Sequence, residues 1–474
     1  MTKQEIIAGL RAMGLTRGDK VLMHSSLISL GKVEGGPDAV IDAFLEVLGS
    51  EGTLLVPVFG ALGILTDTLK NRPGAVISPC PKGTLAALGA DAENICRDHW
   101  KAETAHGANT PYTRLAEMGG YICLLGVDQD RNTSLHGVEA LLELPYLSDT
   151  TGSLVTPEGE SVTKTWKYYP GPHRDFIGLD RLYREAGVMK ISRIGNAQVR
   201  LIKAKDLFDI GLAAGKKDPA FVLCDNPACA DCVRQRAAIF ADRMAKESFR
   251  LTASSRLAGR YVPEMVENLQ SVGIKSVELD YVQGKACAFM KEEKLLPIVE
   301  QLRSAGIEIS ALSAEVVPDD PGKLSALAVA AGISRLILPV GADAAGKCAL
   351  EAGLEVLFRN INHTATAAST AVRAVEGSKA CFNPAAFAKA GENPFLSSYR
   401  IGRFIKIIGQ LDINDGLWDG QVAKLGRGNG EIKELMSILR CHNFSGYFSL
   451  GGGVCYPGSL KKAAAGMVEL LDNM

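Results

Sequence analysis

Residues 24–36 read HSSLISLGKVEGG and follow the apolar stretch DKVLMH at 19–24. We predict a buried strand over 19–24, a turn at Gly35 and Gly36, and a helix that begins at Pro37, because the first turn of a helix tolerates proline. The stretch GTLLVPVF at 52–59 predicts a second strand. This strand–helix–strand unit indicates an α/β fold, with a helix N-terminus beside the two glycines whose free N–H groups favour an anionic phosphate.

A second informative segment, LLGVDQDRNTSLHGVEAL at 124–141, repeats the pattern. It predicts a strand over 120–127, then a helix capped by Asn132 or Thr133. His136 falls in the first turn of that helix, and Glu139 lies on the same face because it is three residues away. Histidine suits proton transfer near neutral pH, so the two segments together indicate a group-transfer enzyme with a nucleotide-like cofactor beside a general base. The alternative is a solvent-facing pair on an ordinary helix.

The length of 474 residues predicts two domains. A net charge of −1 provides no basic field, so nucleic acid is not an expected partner. The sequence contains no run of 18 apolar residues, so we expect no membrane span. The N-terminal MTKQEIIAGLRAMGL also lacks the apolar segment of a signal peptide. Eleven cysteines without an export signal indicate reduced thiols and a cytoplasmic location.

Three of these cysteines, Cys224, Cys229 and Cys232, are clustered in CDNPACADC. Zinc sites with such spacing use four ligands, and no nearby histidine completes the set. We therefore expect no metal and interpret the segment as an ordinary reduced loop.

The C-terminal half alternates between strand-like and helix-like patterns eight times. A charged helix over 236–247 is predicted as the linker, and strands are predicted near residues 249, 276, 308, 335, 355, 379, 404 and 446. Eight such units are typical of a (β/α)8 barrel, which we predict for residues 248–474. A doubly wound sheet is the alternative.

The segments HSSLISLGKVEGG, GTLLVPVF and NTPYTRLAEMGGYICLLGVDQDRNTSLHGVEAL occur in the order found in the aminoglycoside 3-N-acetyltransferase family, which residues 1–235 resemble. The resemblance implies an α/β domain that transfers acetyl directly from acetyl-CoA to an amine of an aminoglycoside or related amino sugar. It also implies that His136 is the general base, and Glu139 would orient or stabilise its imidazole.

The candidate cofactor contacts have hydroxyls or backbone donors suited to pantetheine amides, phosphates or the thioester. They are Ser25, Ser26, Leu27, Gly35, Gly36 and Thr133. A simple tight turn is the alternative for the glycines. His24 is expected to pack at the end of its strand, and His99 and His106 are expected to serve in a loop.

The sequence departs from the family pattern at 77–81. Family members carry Arg-Ser-x-His-Pro there, whereas this chain has Ile77 and Cys80 at the arginine and histidine positions. The departure implies an altered acceptor or CoA pocket. We expect Cys80 to be a buried structural thiol rather than a nucleophile.

Residues 245–474 resemble xylose isomerase-like barrels, mainly through LGRGNGEIKELMSILRCHNFSGYFSL at 425–450. That family holds a divalent metal with acidic residues and a histidine at the strand ends. Here the corresponding positions are Arg359, Asn360, Asn383, Gln410, Asp412 and Ser449. Asparagine and serine cannot supply the negative charge that a hard cation requires, so we expect a catalytically degenerate barrel.

Three roles remain open for such a barrel. It would bind sugar, present the substrate, or mediate assembly into a homo-oligomer. Two other functions for the whole chain also stay open, a sugar isomerase or epimerase located in the barrel and a non-catalytic sugar-binding protein. The glycines of LGRGNGE suggest a phosphate-binding loop, with structural turns as the alternative.

Overall fold

The computed structural model describes residues 1–60, 62–156, 158–169, 175–400, 403–453 and 458–474. The chain divides into two compact units, Met1–Gln235 and Arg236–Met474. The boundary falls within one helix, Ala230–Ala245. None of the described helices is both long enough and apolar enough to cross a bilayer.

Unit 1 is a mixed α/β structure, as predicted. Its strands are β1 (Lys20–Ser25), β2 (Thr53–Pro57), β3 (Val76–Ile77), β4 (Leu85–Gly89), β5 (Tyr121–Leu125), β6 (Ser148–Val155), β7 (Ser161–Tyr168), β8 (Met189–Ile194) and β9 (Ala197–Lys203). Its helices are α1 (Lys3–Ala12), α2 (Leu27–Leu30), α3 (Gly36–Leu48), α4 (Ile64–Lys70), α5 (Ala92–Cys96), α6 (Pro111–Glu117), α7 (Ser134–Leu141), α8 (Leu179–Glu185) and α9 (Ala204–Lys217). Helix α10 is Ala230–Ala245.

Seven strands of unit 1 form one sheet in the order β3-β4-β2-β1-β5-β9-β8. The central β1 runs parallel to β2 and β5, and the outer pairs are antiparallel. Strand β1 is in register with β5, with Ser25 opposite Leu125. The loops that follow these two strands therefore leave the same edge of the sheet, which is where α/β sheets bind ligands.

Local sequence explains how the helices of this unit begin. Thr2 and Glu5 form the predicted capping box of α1, whose buried residues face the core. Helix α3 begins at Gly36, one residue before the predicted Pro37. Gly35 and Gly36 have φ of +81° and +60°, a left-handed conformation that glycine adopts without a steric penalty. The predicted tight turn is therefore confirmed.

Unit 2 contains a closed barrel of parallel strands. These are β10 (Arg250–Ser254), β11 (Ser276–Leu279), β14 (Glu308–Ser313), β15 (Arg335–Pro339), β16 (Glu355–Arg359), β17 (Lys379–Phe382), β18 (Ile408–Ile413) and β21 (Tyr447–Leu450). The short strands are β12 (Tyr281–Val282), β13 (Lys285–Ala286), β19 (Asp415–Gly416) and β20 (Val422–Ala423). The helices are α11 (Ser255–Ala258), α12 (Val262–Ser271), α13 (Glu292–Ser304), α14 (Pro321–Ala330), α15 (Asp343–Glu351), α16 (Ala365–Ala374), α17 (Pro384–Lys389), α18 (Ile432–Cys441) and α19 (Leu460–Asp472).

All eight predicted barrel strands are present, and the closed sheet rules out the doubly wound alternative. The predicted strand near residue 404 begins only at Ile408, because Phe404–Lys406 forms a short 3₁₀ turn in which Phe404 is buried.

The interior of the barrel holds a buried charge network centred on Arg359. Its guanidinium donates to Glu278 Oε1 at 2.7 Å and to both carboxylate oxygens of Asp412, at 2.7 and 3.0 Å. The amide of Gln410 and the hydroxyl of Ser449 also donate to Glu278. Although burial raises the pKa of a carboxyl group, the adjacent Arg359 holds the pKa of Glu278 below its ordinary value. Arg359 thus provides one cation for two interior carboxyl groups, and burial raises the pKa of the second, Asp412, despite this contact.

We expect Arg359→Met to lower the free energy of unfolding by about 3–5 kcal/mol, because it leaves two buried carboxyl groups without their cation. Urea denaturation followed by circular dichroism measures the change. Arg373→Met, at an exposed position of α16, is the matched control and should change stability by no more than about 0.5 kcal/mol. Adding Glu278→Gln and Asp412→Asn to Arg359→Met should restore part of the loss. Equal stability of the two single variants would contradict this account of the network.

Candidate active site

A cavity of about 660 Å³ opens at the edge of the sheet where β1 and β5 end. One wall is formed by residues 23–26 at the end of β1, and a second by Gly126 to Thr133 after β5. Phe59 and Thr66 contribute from the chain after β2, while His136 and Phe176 complete the lining. The parallel register of β1 and β5 therefore brings the two segments singled out in the sequence to one cavity.

His136 and Glu139 form the predicted pair on α7. His136 Nδ1 lies 2.7 Å from Glu139 Oε2, and the glutamate is fully buried. Because a carboxylate only accepts hydrogen bonds, this contact places the imidazole proton on Nδ1 and leaves Nε2 with its lone pair. The His136 side chain is 15% exposed, so it is reachable from the cavity that it lines. This geometry suits a general base.

Tyr146 extends the pair into a chain of three side chains. Its hydroxyl donates to Glu139 Oε1 at 2.9 Å. The ring of Tyr146 packs edge-on against Tyr169, whose hydroxyl donates to the carbonyl of Leu144. Tyr146 therefore holds the carboxylate that orients His136. No sequence signal pointed to this tyrosine, because Tyr146 follows Pro145, outside the predicted helix.

The candidate cofactor residues divide into two groups. Ser25, Ser26 and Thr133 line the cavity, and the Thr133 hydroxyl is buried with no hydrogen-bond partner among the described residues. Leu27, which begins α2, and the two glycines at the start of α3 lie outside the cavity lining. Thr133 occupies the predicted N-cap position of α7, but Asn132 makes the side-chain hydrogen bond, accepting from the N–H of Ser134.

The loop between β5 and α7 is held by an arginine that sequence reasoning missed. Arg200 of β9 donates to Asp128 at 3.0 Å, to Asp180 at 2.9 Å and to the carbonyl of Val127. At Gly126, where φ is +69°, a Cβ atom would lie 2.5 Å from Ser29 Cβ. The loop thus follows a single path past the cavity. No local sequence pattern predicts this contact, because Arg200 and Asp128 are 72 residues apart in the chain.

Two buried histidines surround His136. His24 lines the cavity, and burial lowers its pKa to about 3. The ring of His106 lies 5.4 Å from that of His136, and burial holds its pKa well below the ordinary value. Both rings are therefore neutral at neutral pH. The expected packing role of His24 is incomplete, because its Nε2 has no partner among the described residues and its ring forms part of the cavity.

Of the two departures at 77–81, Cys80 lies in a buried cluster and Ile77 is exposed, and neither residue lines the cavity. Cys80 packs with Ala105 and Trp166, and burial raises the pKa of its thiol, as expected for a structural cysteine. His99 accepts from the Ser78 hydroxyl at 2.9 Å and donates to the carbonyl of Ala105 at 2.9 Å. His99 is therefore a structural residue of this segment, in agreement with the expected loop role.

The LGRGNGE segment of unit 2 binds an internal carboxylate. The N–H groups of Gly428 and Gly430 donate to the two oxygens of Asp415, at 2.9 and 2.8 Å. The proposed phosphate donors are thus engaged by the chain itself, so the structural interpretation of these glycines replaces the phosphate-binding one.

Comparison with known proteins relates unit 1 to one family. The model of the family described as "Aminoglycoside 3-N-acetyltransferase" matches residues 22–62 and 60–214. Aminoglycoside N(3)-acetyltransferase VII of Streptomyces paromomycinus is 31% identical over 268 residues, which cover 45% of this chain and 91% of that protein. Aminoglycoside N(3)-acetyltransferase IV of a Salmonella species is 30% identical over 237 residues, covering 47% of this chain and 90% of that protein.

Solved structures are similar to the chain as well. A crystal structure of aminoglycoside acetyltransferase AAC(3)-IVa in complex with a gentamicin has 29% identity and a TM-score of 0.46, covering 49% of this chain and 96% of that one. A CoASH binary complex of AAC-IIIb has 24% identity and a TM-score of 0.43, covering 48% of this chain and 99% of that one.

The neutral buried histidines predict that unit 1 loses stability in acid. A histidine whose pKa is depressed in the folded state binds its proton only in the unfolded state. Its contribution to stability is therefore present above pH 6.5 and is lost as the pH falls towards the folded pKa. That pKa is about 3 for His24 and about 4 for His99. Lowering the pH from 6 to 5 should therefore reduce the free energy of unfolding by about 1 kcal/mol for each of three histidines, His24, His99 and His106. Urea denaturation followed by the fluorescence of buried Trp166 measures this.

The control for this experiment uses two histidine variants. His106→Leu should reduce the pH dependence by one proton, whereas His442→Gln, at an exposed position, should leave it unchanged. An unaltered slope in His106→Leu would show that His106 is protonated in the folded state.

Proposed function

The chain belongs to the aminoglycoside 3-N-acetyltransferase family and is an acyltransferase, and on that premise we propose that unit 1 transfers acetyl directly from acetyl-CoA to an amine of an aminoglycoside or a related amino sugar, with His136 as the general base. The observation that carries the proposal is the 2.7 Å contact between His136 and Glu139 at the wall of the cavity. It leaves Nε2 as the free base of the imidazole.

His136 moves the proton of the reaction. When bound, acetyl-CoA supplies an acetyl thioester, whose carbon–sulfur bond breaks as a carbon–nitrogen bond to the acceptor forms. The attacking amine must lose a proton, and His136 Nε2 accepts it; this proton balances the thiolate that leaves, so that CoA departs as the thiol. The charge that develops on the imidazole lies against Glu139, and the hydroxyl of Tyr146 keeps that carboxylate in place.

Acetyl-CoA fits the polar groups at the end of β1 and at the start of α7. Thr133 lines the cavity with a buried hydroxyl close to that of Tyr112, and we propose that a carbonyl or amide of the ligand reaches this hydroxyl. Ser25 and Ser26 present hydroxyls in the same lining. The match to the aminoglycoside 3-N-acetyltransferase family model supports the same cofactor. Leu27, Gly35 and Gly36 are further proposed contacts, reached by parts of the cofactor beyond the cavity.

We propose that the amine of the acceptor binds near two carboxylates of the cavity wall. Asp128 and Asp130 line the cavity with side chains that are 35% and 41% exposed, and each also pairs with an arginine, Asp128 with Arg200 at 3.0 Å and Asp130 with Arg131 at 3.3 Å. Carboxylates at a cavity wall attract the protonated amines of an amino sugar. Ile77 and Cys80, where the sequence departs from the family pattern, do not line this cavity, so they give no ground for a different acceptor.

We propose no isomerase activity for the barrel. Its interior acids Glu278 and Asp412 already bind the guanidinium of Arg359, which occupies the space between them. A role in binding sugar, presenting the substrate or forming a homo-oligomer remains compatible with a barrel of this kind.

Release of CoA thiol in the presence of a panel of aminoglycosides tests the mechanism. We expect His136→Ala to lower kcat by about 10² to 10⁴, because proton transfer by a positioned base contributes that factor. Retention of full kcat in His136→Ala would overturn the role of the base, and inactivity of the wild type with every amine tested would overturn the proposed reaction. His442→Gln is the matched histidine control, since it lies at an exposed position of unit 2.

The residues behind His136 should have graded effects. Glu139→Gln replaces an acceptor with a group that can donate to Nδ1, so we expect kcat to fall by roughly 10² or more. Tyr146→Phe removes the hydroxyl that donates to Glu139 but leaves the carboxylate in place, so a smaller loss of about 10-fold is expected. Both should leave KM for acetyl-CoA nearly unchanged. A change confined to KM would assign these two residues to binding instead.

A further inference from the structure

Three cysteines at the end of unit 1 bring their thiols together. The Sγ atoms of Cys224, Cys229 and Cys232 all lie within 4.8 Å of one another, and none of the three is in a disulfide. Two thiolates bound about 2.3 Å from one tetrahedral zinc lie about 3.8 Å apart, so the observed separation is close to that of a shared metal. Cys232 is buried, and the other two are partly exposed.

The local backbone explains why the thiols converge. Between Cys224 and Cys229 the chain turns at Asn226, whose side chain accepts from the N–H of Ala228 at 3.0 Å and whose carbonyl accepts from the N–H of Cys229 at 3.0 Å. Cys229 directly precedes α10 and Cys232 lies in its first turn, three residues later. Residues three apart share one face of a helix, so both thiols point to the same side.

We propose that Cys224, Cys229 and Cys232 bind a structural metal ion of the zinc class. Thiolate ligands select zinc over hard cations such as Mg²⁺ and Ca²⁺. The three cysteines supply three of the four positions of a tetrahedral site, and the cluster holds no fourth His, Cys, Asp or Glu ligand among the described residues, so we propose a water molecule at the fourth position. This proposal departs from the ordinary reduced loop that the sequence predicts, and it rests on the closeness of the three thiols. The site is also separate from acetyl transfer, whose steps require no metal.

The metal would stabilise one wall of the active-site cavity. The carbonyl of Val222, two residues before Cys224, accepts from the N–H of Asp175 at 2.8 Å. The next residue, Phe176, lines the cavity, and its ring lies 5.1 Å from that of His136. Fixing Cys224 therefore fixes the backbone contact that holds Phe176 against the base. This consequence rests on the proposed function, whereas the metal site itself does not.

Metal analysis of the purified full-length chain tests the site. Elemental analysis should find about one zinc ion per chain, as for a single structural site. Cys224→Ser, Cys229→Ser and Cys232→Ser should each lose the metal. Cys441→Ser, at an exposed position of unit 2, is the matched control and should retain it. Retention of zinc in all three cluster variants would overturn the proposal.

A second measurement on the wild type guards against variants that do not fold. Removal of the metal with a chelator should make three further thiols reactive towards a thiol reagent, and Co²⁺ added to the stripped chain should give the visible absorption of a tetrahedral thiolate site. If the freshly purified chain held no metal and contained a Cys229–Cys232 disulfide, its mass would be lower by two hydrogens. The two cysteines would then be a redox pair, and the metal assignment would be overturned. Full acetyl transfer by a zinc-free chain would leave the site intact and contradict only its effect on Phe176.

Discussion

The parallel pairing of β1 with β5 is the constraint on which the candidate active-site cavity depends. With Ser25 opposite Leu125, both strands end at the same level of the sheet, and the N–H of Ser26 donates to the carbonyl of Leu125 at that point. The two loops that follow must then share one space. A shift of one residue would turn every side chain of β1 to the opposite face and separate His24 from the cavity.

The buried polar networks of the two units differ in how fully their groups are hydrogen-bonded. In the barrel, Arg359 and its acids are wholly buried and their hydrogen-bonding groups are engaged with one another, which suits a structural core. In unit 1, the buried Glu139 also has its partners, but His136 keeps one nitrogen towards the cavity. The two networks thus differ in one respect, since that of unit 1 includes a histidine that lines a cavity beside a buried carboxylate.

Much of the fold followed from local patterns. The capping box of α1, the glycine turn before α3 and the eight barrel strands depend on residues close in the chain, so periodicity and turn chemistry predict them. The His136–Glu139 pair was predictable for the same reason, because a helix brings residues three apart together. Tyr146 and Arg200 were not, since tertiary packing brings them to their partners.

The sequence by itself determined the α/β class of unit 1, the strand count of the barrel and the pairing of His136 with Glu139. Each of these depends on spacing along one element or on a repeated pattern. Only the tertiary structure decided that His24 borders the cavity, that Arg359 neutralises the barrel acids and that Gly428 and Gly430 bind Asp415. Those contacts join strands and loops distant in sequence, and their energies depend on burial and direction, which no local pattern specifies.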